Sequence, residues 1–384
     1  MTHGILLVAA LYGLLLIPIV LVNLAATPRL SRPAAAGGTF PKVSIVIPAR
    51  NEERAIAAAV ASQLAQDYPD FEVIVVNDRS TDGTGGILES LARADPRLRV
   101  VAGAEPPPGW IGKPHALWLG AQAAGGELLL FADADVRYHP TSLREAVGLL
   151  ERRHADLLGI LPRIEAEGFW ENVLMPFLIG AFYGGLGAFA NSRWPRWLAL
   201  GSGAGNLIRR SAYDAIGGHA ALKASVIDDV ALALATKRAG FSTAAARAED
   251  RVSVRMYHGF REVCAGFTKN IAYAFNGWLG AVLFFLTAAW FVMALAPPVF
   301  LLLALAGVPV APRDVALAAA GTALPMLARV ILAAAVGDPI WPAVTHPIMA
   351  AVWAGIASRS LYQRVVRRRL TWRGREFDAR GASF

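Results

Sequence analysis

The chain of 384 residues carries 37 basic and 29 acidic side chains, a net charge of +8, with 55% hydrophobic and only 17% charged residues. A charged fraction so far below the roughly 25% of soluble domains excludes a purely soluble protein, a disordered chain and a small disulfide scaffold. The single cysteine, Cys264, permits neither an intramolecular disulfide nor a cysteine-built zinc site.

Ile5 to Ala26 is a run of 22 residues without a charge. A helix rising about 1.5 Å per residue crosses a roughly 30 Å hydrocarbon core in about 20 residues. The run follows Met-Thr-His rather than a basic stretch and is longer than the apolar core of a signal peptide, so residues 1–28 are expected to form a membrane anchor. Arg29, Arg32 and Lys42 come next with no acid among them, which puts the N-terminus outside and the following region in the cytoplasm.

From 42 to 270 short β-branched runs alternate with Ala-rich helical stretches, the pattern of an α/β domain with a mostly parallel sheet. Val43 to Ile47, Glu72 to Asn77 and Glu127 to Ala132 read as strands. Within this domain, residues 169–200 combine many glycines with Phe169, Trp170, Phe177, Phe182, Tyr183, Phe189, Trp194 and Trp197. Such a segment suits a membrane interface or an access route for a lipid, and an ordinary aromatic core is the alternative. Apolar blocks return near 277–296, 298–311, 315–336 and 340–358, and Pro297-Pro298 is expected to turn a tight helical hairpin. Residues 277–358 would then cross the membrane four times, with Arg313 inside. The tail 359–384 holds eight arginines against Glu376 and Asp378 and belongs in the cytoplasm. Arg329 lies deep in an apolar block, where a charge is costly; it could snorkel to the interface or pair with Asp338.

Three polar constellations follow the strands. Pro48-Ala49-Arg50-Asn51-Glu52-Glu53 succeeds the first, and Asn77-Asp78-Arg79-Ser80-Thr81-Asp82-Gly83-Thr84 succeeds the second. Ligands of open α/β sheets collect at such carboxyl ends. Asp78 is placed to accept from a base or ribose, whereas Ser80, Thr81 and Asp82 could cap the next helix. Asp133-Ala134-Asp135 follows the apolar run Leu128 to Phe131. On a continuing strand the two carboxylates would point the same way and suit a hard divalent cation shared with phosphate oxygens.

With these loops in order, residues 42–270 resemble an inverting family 2 glycosyltransferase with the nucleotide-diphospho-sugar transferase (GT-A) fold. The resemblance implies a nucleotide-sugar donor, with a UDP-sugar first, and a divalent cation, Mg2+ or Mn2+. It implies that Pro48, Arg50, Glu52 and Asp78 line the nucleoside side, that Asp135 ligates the metal, and that Asp133 lies close to it and to the sugar or ribose. Gly109-Trp110-Ile111-Gly112-Lys113 is similar to a loop that leads a lysine to the donor diphosphate; a solvated Lys113 is the alternative. Asp228-Asp229 is similar to the acidic pair carrying the general base, a carboxylate that takes the acceptor proton. Asp229 matches that position, and Asp228 could instead cap the helix. Gly201-Ser202-Gly203-Ala204-Gly205-Asn206 resembles an acceptor-side glycine loop.

The Gln-x-x-Arg-Trp signature of processive synthases is missing, and Arg255-Met256-Tyr257-His258 stands in its place. Arg255 is then a candidate clamp for the leaving diphosphate or a residue at the membrane surface. The Arg-Met-Tyr stretch, Gly266 to Asn270 and Trp372-Arg373-Gly374-Arg375 resemble the hopene-associated glycosyltransferases first and the carotenoid glycosyltransferases second. These features together imply transfer of one sugar to a membrane lipid at the cytoplasmic face of a bacterial-type inner membrane, with no nucleic acid partner. A processive synthase, a nucleotidyltransferase, and a non-catalytic membrane partner or lipid translocase are the rival readings.

Overall fold

The computed structural model describes residues 2–30, 40–185, 187, 191, 195–274, 277–363, 369–372 and 375–378. Arg32, Phe189, Trp194, Arg373 and Gly374, singled out above, lie outside these residues. The chain divides into two compact units. One holds Thr27–Glu165 and Phe189–Met256, the other Met1–Ala26, Ala166–Ala188 and Tyr257–Ser383.

The first unit is built on a seven-stranded sheet of order β3-β2-β1-β4-β8-β6-β9. Its strands are β1 (Val43–Ala49), β2 (Phe71–Asn77), β3 (Leu98–Ala102), β4 (Leu128–Phe131), β6 (Leu157–Leu161), β8 (Asn206–Arg209) and β9 (Thr243–Arg247). β1, β2, β3 and β4 are parallel, as are β6 and β9, while β8 runs antiparallel to both its neighbours. The alternation of a strand explains its two covered faces. Val43, Ile45, Ile47, Leu128 and Leu130 enter one core, while Val46, Leu129 and Phe131 enter the other. A second sheet orders β5 (Val136–Tyr138), β10 (Val252–Val254) and β7 (Arg163–Ile164). From β1 the chain first builds β2 and β3 on one side and then β4 on the other, so a crevice opens at the carboxyl ends of β1 and β4.

The other unit is helical. Thr2–Ala26, Phe284–Leu305 and Pro312–Val336 are long and apolar enough to cross a membrane. His3 Nδ1 lies 2.5 Å from Asp314 Oδ1, a Cβ at Gly13 would lie 2.8 Å from Leu324 Cβ, and Val20 shares a core with Leu332 and Val336. The Thr2–Ala26 and Pro312–Val336 helices are therefore parallel. Gly277–Leu305 runs against both, because only the short stretch 306–311 joins it to Pro312 while Pro297 packs back beside Gly321.

Three expectations differ from the structure. Gly277–Leu305 is one continuous helix with Pro297 and Pro298 inside it, not a hairpin. Each proline removes one backbone donor, whereas a turn within an apolar layer would leave many more backbone groups unpaired. Among the described residues two C-terminal helices, not four, have spanning length. Beyond Val336 the chain bends at Gly337 and forms the short helix Trp341–Thr345 and then His346–Tyr362 of 17 residues. The boundary also differs from the expected single domain of 42–270: Ala166–Ala188 and the chain from Tyr257 fold with the helices. Aromatic packing accounts for this. Phe177 stacks on the buried Trp353 at 4.0 Å between centroids, whose indole N–H donates to Leu174 O at 3.1 Å. Among the described residues of 169–200 are the short helices Phe169–Leu174 and Pro176–Tyr183 and none of spanning length.

Candidate functional site

The crevice is framed by two loops that hold each other. Asn51 N–H donates to Ser80 Oγ at 3.1 Å, and Asn51 Oδ1 accepts from Thr81 N–H at 2.8 Å. Glu52 N–H donates to Thr84 Oγ1 at 2.8 Å, and Glu53 Oε2 accepts from Gly83 N–H at 2.8 Å. Ser80 and Thr81 thus latch the neighbouring loop instead of capping the Thr84–Ala94 helix. Only Asp82 takes an N–H of that helix, from Thr84 at 3.0 Å. Asn51 and Arg79 stand at φ 53° and 55°, a left-handed conformation that costs a non-glycine residue about 1 kcal/mol or more and concentrates at functional sites.

Asp78 is buried, 6% exposed, at the end of β2. Arg79 Nε donates to its Oδ1 at 3.0 Å, and Arg50 Nη1 donates to its backbone oxygen at 3.0 Å. Arg79 also pairs with Glu105. Pro48 lies within β1 opposite Val76, in the ladder rather than in the loop.

Lys113 is the second residue of the Gly112–Ala123 helix. The helix lies close to the sheet because residue 120 is glycine: a Cβ there would come within 2.4 Å of Val46 Cγ1. Lys113 Nζ is 2.7 Å from Asp133 Oδ1 and 3.1 Å from Asp228 Oδ1. Burial opposes its charge, but Asp133, Asp228 and Asp229 together hold the ammonium well above the ordinary lysine range. Lys113 is thus ion-paired on two sides while its side chain remains 37% exposed. Asp228 begins the Asp228–Arg238 helix, whose N-cap is Ile227 with no side-chain cap bond, so it does not cap. Burial and then the neighbouring carboxylates raise the Asp228 carboxyl against the opposing pull of Lys113.

Asp133 and Asp135 do not continue a strand. β4 ends at Phe131, β5 starts at Val136, and the two acids sit in the turn between them, where Asp133 O accepts from Val136 N–H at 3.3 Å. Burial first, and then the charges of Asp133 and Glu52, push the Asp135 carboxyl up. Two carboxylates in one turn are the oxygen donors a hard divalent cation takes, and Asp133 is shared with the Lys113 ammonium. Among the described residues no group of three or more His, Cys, Asp or Glu is arranged to hold a metal.

The glycine loop, weak in sequence, is tightly specified in space. A Cβ at Gly203 would lie 2.4 Å from Asp133 Oδ2, one at Gly201 1.9 Å from Asp229 O, and one at Gly205 2.3 Å from Tyr138 Oη. Gly203 O accepts from Asp133 N–H at 2.8 Å. Asn206 joins the loop to the second acidic element, accepting from Ser202 N–H at 3.2 Å and donating to Asp229 O at 3.1 Å. Asp229 is half-buried beside Asp228 without pairing to Lys113 in the manner of its neighbour. Arg255 follows Val254, which pairs with Val136, so it leaves the small sheet beside the Asp135 turn.

Sequence reasoning missed His115 and Arg79. His115 is buried between Trp110 and Trp118, with ring centroids at 5.3 and 6.0 Å. Burial lowers it, Asp78 opposes that, and Arg79 adds to it. Its position two residues beyond Lys113 at a helix start was the available signal.

Residues 44–217 match the model of the family described as glycosyl transferase family 2. The 4,4'-diaponeurosporenoate glycosyltransferase of Staphylococcus haemolyticus is 28% identical over 239 residues, which are 62% of this chain and 62% of that protein. The protein of the same name from Staphylococcus aureus strain USA300 is 29% identical over 242 residues, 61% of this chain and 62% of its own. The chain thus spans about 62% of the length of these curated relatives. Among solved structures, the mannosyltransferase PcManGT of Pyrobaculum calidifontis, in complex with GDP-Man and Mn2+, aligns with a TM-score of 0.61 at 19% identity. The alignment covers 95% of this chain and 100% of that one. This likeness shows the fold: a GT-A sheet domain accompanied by N- and C-terminal helices.

Proposed function

We propose that the protein is a membrane-embedded glycosyltransferase that moves one sugar from a nucleotide-diphosphate sugar to a lipid acceptor, with inversion at the anomeric carbon. The observation that carries this reading is the ion triad Asp133–Lys113–Asp228 at the crevice. It sets a cation between a donor-side turn and the acidic pair that would serve the acceptor. The family match over 44–217 and the relatives named as glycosyltransferases support the same chemistry.

In this reading Glu52, Asp78 and Arg50 orient the nucleoside. Asp135 and Asp133 would hold a divalent cation, Mg2+ or Mn2+, which supplies charge neutralisation of the diphosphate. Mn2+ in the mannosyltransferase structure favours such an ion. Lys113 and Arg255 add positive charge where the leaving diphosphate forms, and Asp229 takes the proton of the acceptor hydroxyl or carboxyl. The missing Gln-x-x-Arg-Trp supports addition of one sugar rather than a polymer.

The acceptor is an apolar lipid of the hopanoid or carotenoid type. The names of the curated relatives favour a carotenoid-type acid over the hopanoid that the short motifs suggest. Arg29 and Lys42 after the first helix support a cytoplasmic catalytic unit. With Thr2–Ala26 and Pro312–Val336 crossing in one direction and Gly277–Leu305 in the other, three spans return the chain beyond Val336 to that side. Arg313 then lies outside with His3 and Asp314. The test is the lipid extract of a deletion strain complemented with wild type or Asp229→Asn. Loss of a monoglycosylated lipid in both deletion and variant is expected; retention of every glycolipid, or loss of a soluble or polymeric glycan, overturns the proposal.

A further inference from the structure

Arg329 has no role in the chemistry above, and its position is costly. It stands on the Pro312–Val336 helix, seven residues from the Val336 end, about 10 Å along at ~1.5 Å per residue. On a helix long enough to span a roughly 30 Å hydrocarbon core, that places it inside the apolar layer rather than at its edge. An arginine that snorkelled would end in water, yet Nη1 of Arg329 is buried with no hydrogen-bond partner. Among the described residues no carboxylate forms an ion pair with it, and Asp338, which lines the same cleft, has its own interactions. Nδ1 of His346 is a second buried nitrogen without a hydrogen-bond partner in this helical unit.

The guanidinium borders a small cleft whose walls include Pro176, Ile179, Leu332 and Val336. Apart from Arg329 and Asp338 the lining is aliphatic or proline. With Asp338 engaged in interactions of its own, the guanidinium without an ion pair in an otherwise apolar cleft is complementary to a molecule with a long apolar body and one anionic end. A free inorganic anion would gain the charge but leave the apolar walls uncovered, and a neutral lipid would leave Nη1 unpaired, which costs more than the bond itself contributes. A planar guanidinium pairs bidentately with carboxylate or phosphate alike.

We infer that this cleft is a binding site for the anionic end of a membrane amphiphile, a lipid carboxylate or phosphate held by Arg329. The inference rests on the helical unit alone and holds whichever reaction the sheet domain performs.

The test is photolabelling of the full-length protein in neutral-lipid nanodiscs with three diazirine probes of matched chain: a fatty acid, a phosphatidic acid and a fatty alcohol. Labelled peptides are mapped by mass spectrometry. The acid probes are expected to label 176–179 or 329–343 about tenfold more than the alcohol, the ratio that one charge-assisted hydrogen bond supplies. Arg329→Gln should abolish that preference and Arg329→Lys should keep part of it. Ala333→Phe, which fills the cleft and leaves the guanidinium in place, should remove labelling and so guards against misfolding of the glutamine variant. Preference for the fatty acid points to an acceptor-like carboxylate, and preference for phosphatidic acid to a bulk phospholipid. Equal labelling by acid and alcohol, or labelling unchanged in Arg329→Gln and Ala333→Phe, overturns the inference. Running the probes on Asp229→Asn as well separates this outcome from a failure of the transferase reading, because labelling needs no turnover.

Discussion

The ammonium of Lys113 reaches the buried carboxylate of Asp228 at 3.1 Å. Through its second bond, to Asp133, it ties the start of the Gly112–Ala123 helix to both acidic elements of the crevice. Lys113→Met should lower kcat/KM by about 10²–10³, the usual loss for one group that stabilises developing negative charge. Lys113→Arg should recover part of it. Steady-state kinetics with saturating lipid and varied nucleotide-sugar check both.

The two adjacent acids should separate in their effects. Asp228→Asn breaks the ion pair with Lys113 and should weaken binding of the nucleoside diphosphate, measured by calorimetry. Asp229→Asn should leave that binding within about twofold while transfer falls by about 10²–10⁴, the range for a general base. Equal loss of binding in both variants would assign the two residues one structural role.

The glycine loop predicts two different failures. At Gly201 a methyl would meet the backbone oxygen of Asp229 at 1.9 Å, which cannot rotate away, so Gly201→Ala should cost several kcal/mol, about 3 or more. At Gly203 the obstacle is the Asp133 carboxylate at 2.4 Å, a side chain that can swing aside. Gly203→Ala should therefore lose activity with a smaller drop in Tm. Thermal unfolding and initial rates on the same preparations distinguish them.

Glu72 makes stability depend on acid. Burial works against its ionised form, but the Ser44 hydroxyl, the Gly125 N–H and Lys42 outweigh it and hold the carboxyl below the ordinary glutamate value. A lowered folded value stabilises fully above the unfolded one, about 4.3, and is lost as pH falls through the folded value. Lys42 is 37% exposed, so its share is discounted for screening. Glu72→Gln should cost about 1 kcal/mol at pH 7, with the difference closing below about pH 4 in denaturant titrations.

Topology can be checked by cysteine labelling in a Cys264→Ser background. Three spans place Val308, in the bend between the two C-terminal membrane helices, outside, and Ser90 inside. Val308→Cys should react with an impermeant maleimide on intact cells and Ser90→Cys only after permeabilisation. The reverse result for Val308 would restore a helical break at Pro297-Pro298.

What the sequence determined by itself was whatever depends on local pattern. Alternating β-branched runs located β1, β2 and β4 within a few residues, and charge-free length located the helices of spanning length but not their number. Strand-end polar motifs pointed to Asp78 and Asp133, because ligands of open α/β sheets collect where parallel strands end, whereas Lys113 and Asp228-Asp229 were singled out by family resemblance. The tertiary structure alone decided what depends on partners distant in the chain. Pro297-Pro298 reads as a break, yet backbone pairing in an apolar layer and packing against Gly321 keep one helix. Asp133 and Asp135 read as strand neighbours, but pairing of Val136 with Val254 starts a second sheet and puts them in a turn. Asp228 reads as one of an acidic pair or as a cap, and only the structure shows Lys113, 115 residues earlier, paired with it. Gly201, Gly203 and Gly205 read as turn formers, and only the atoms packed against them show that each is a contact where a methyl has no room.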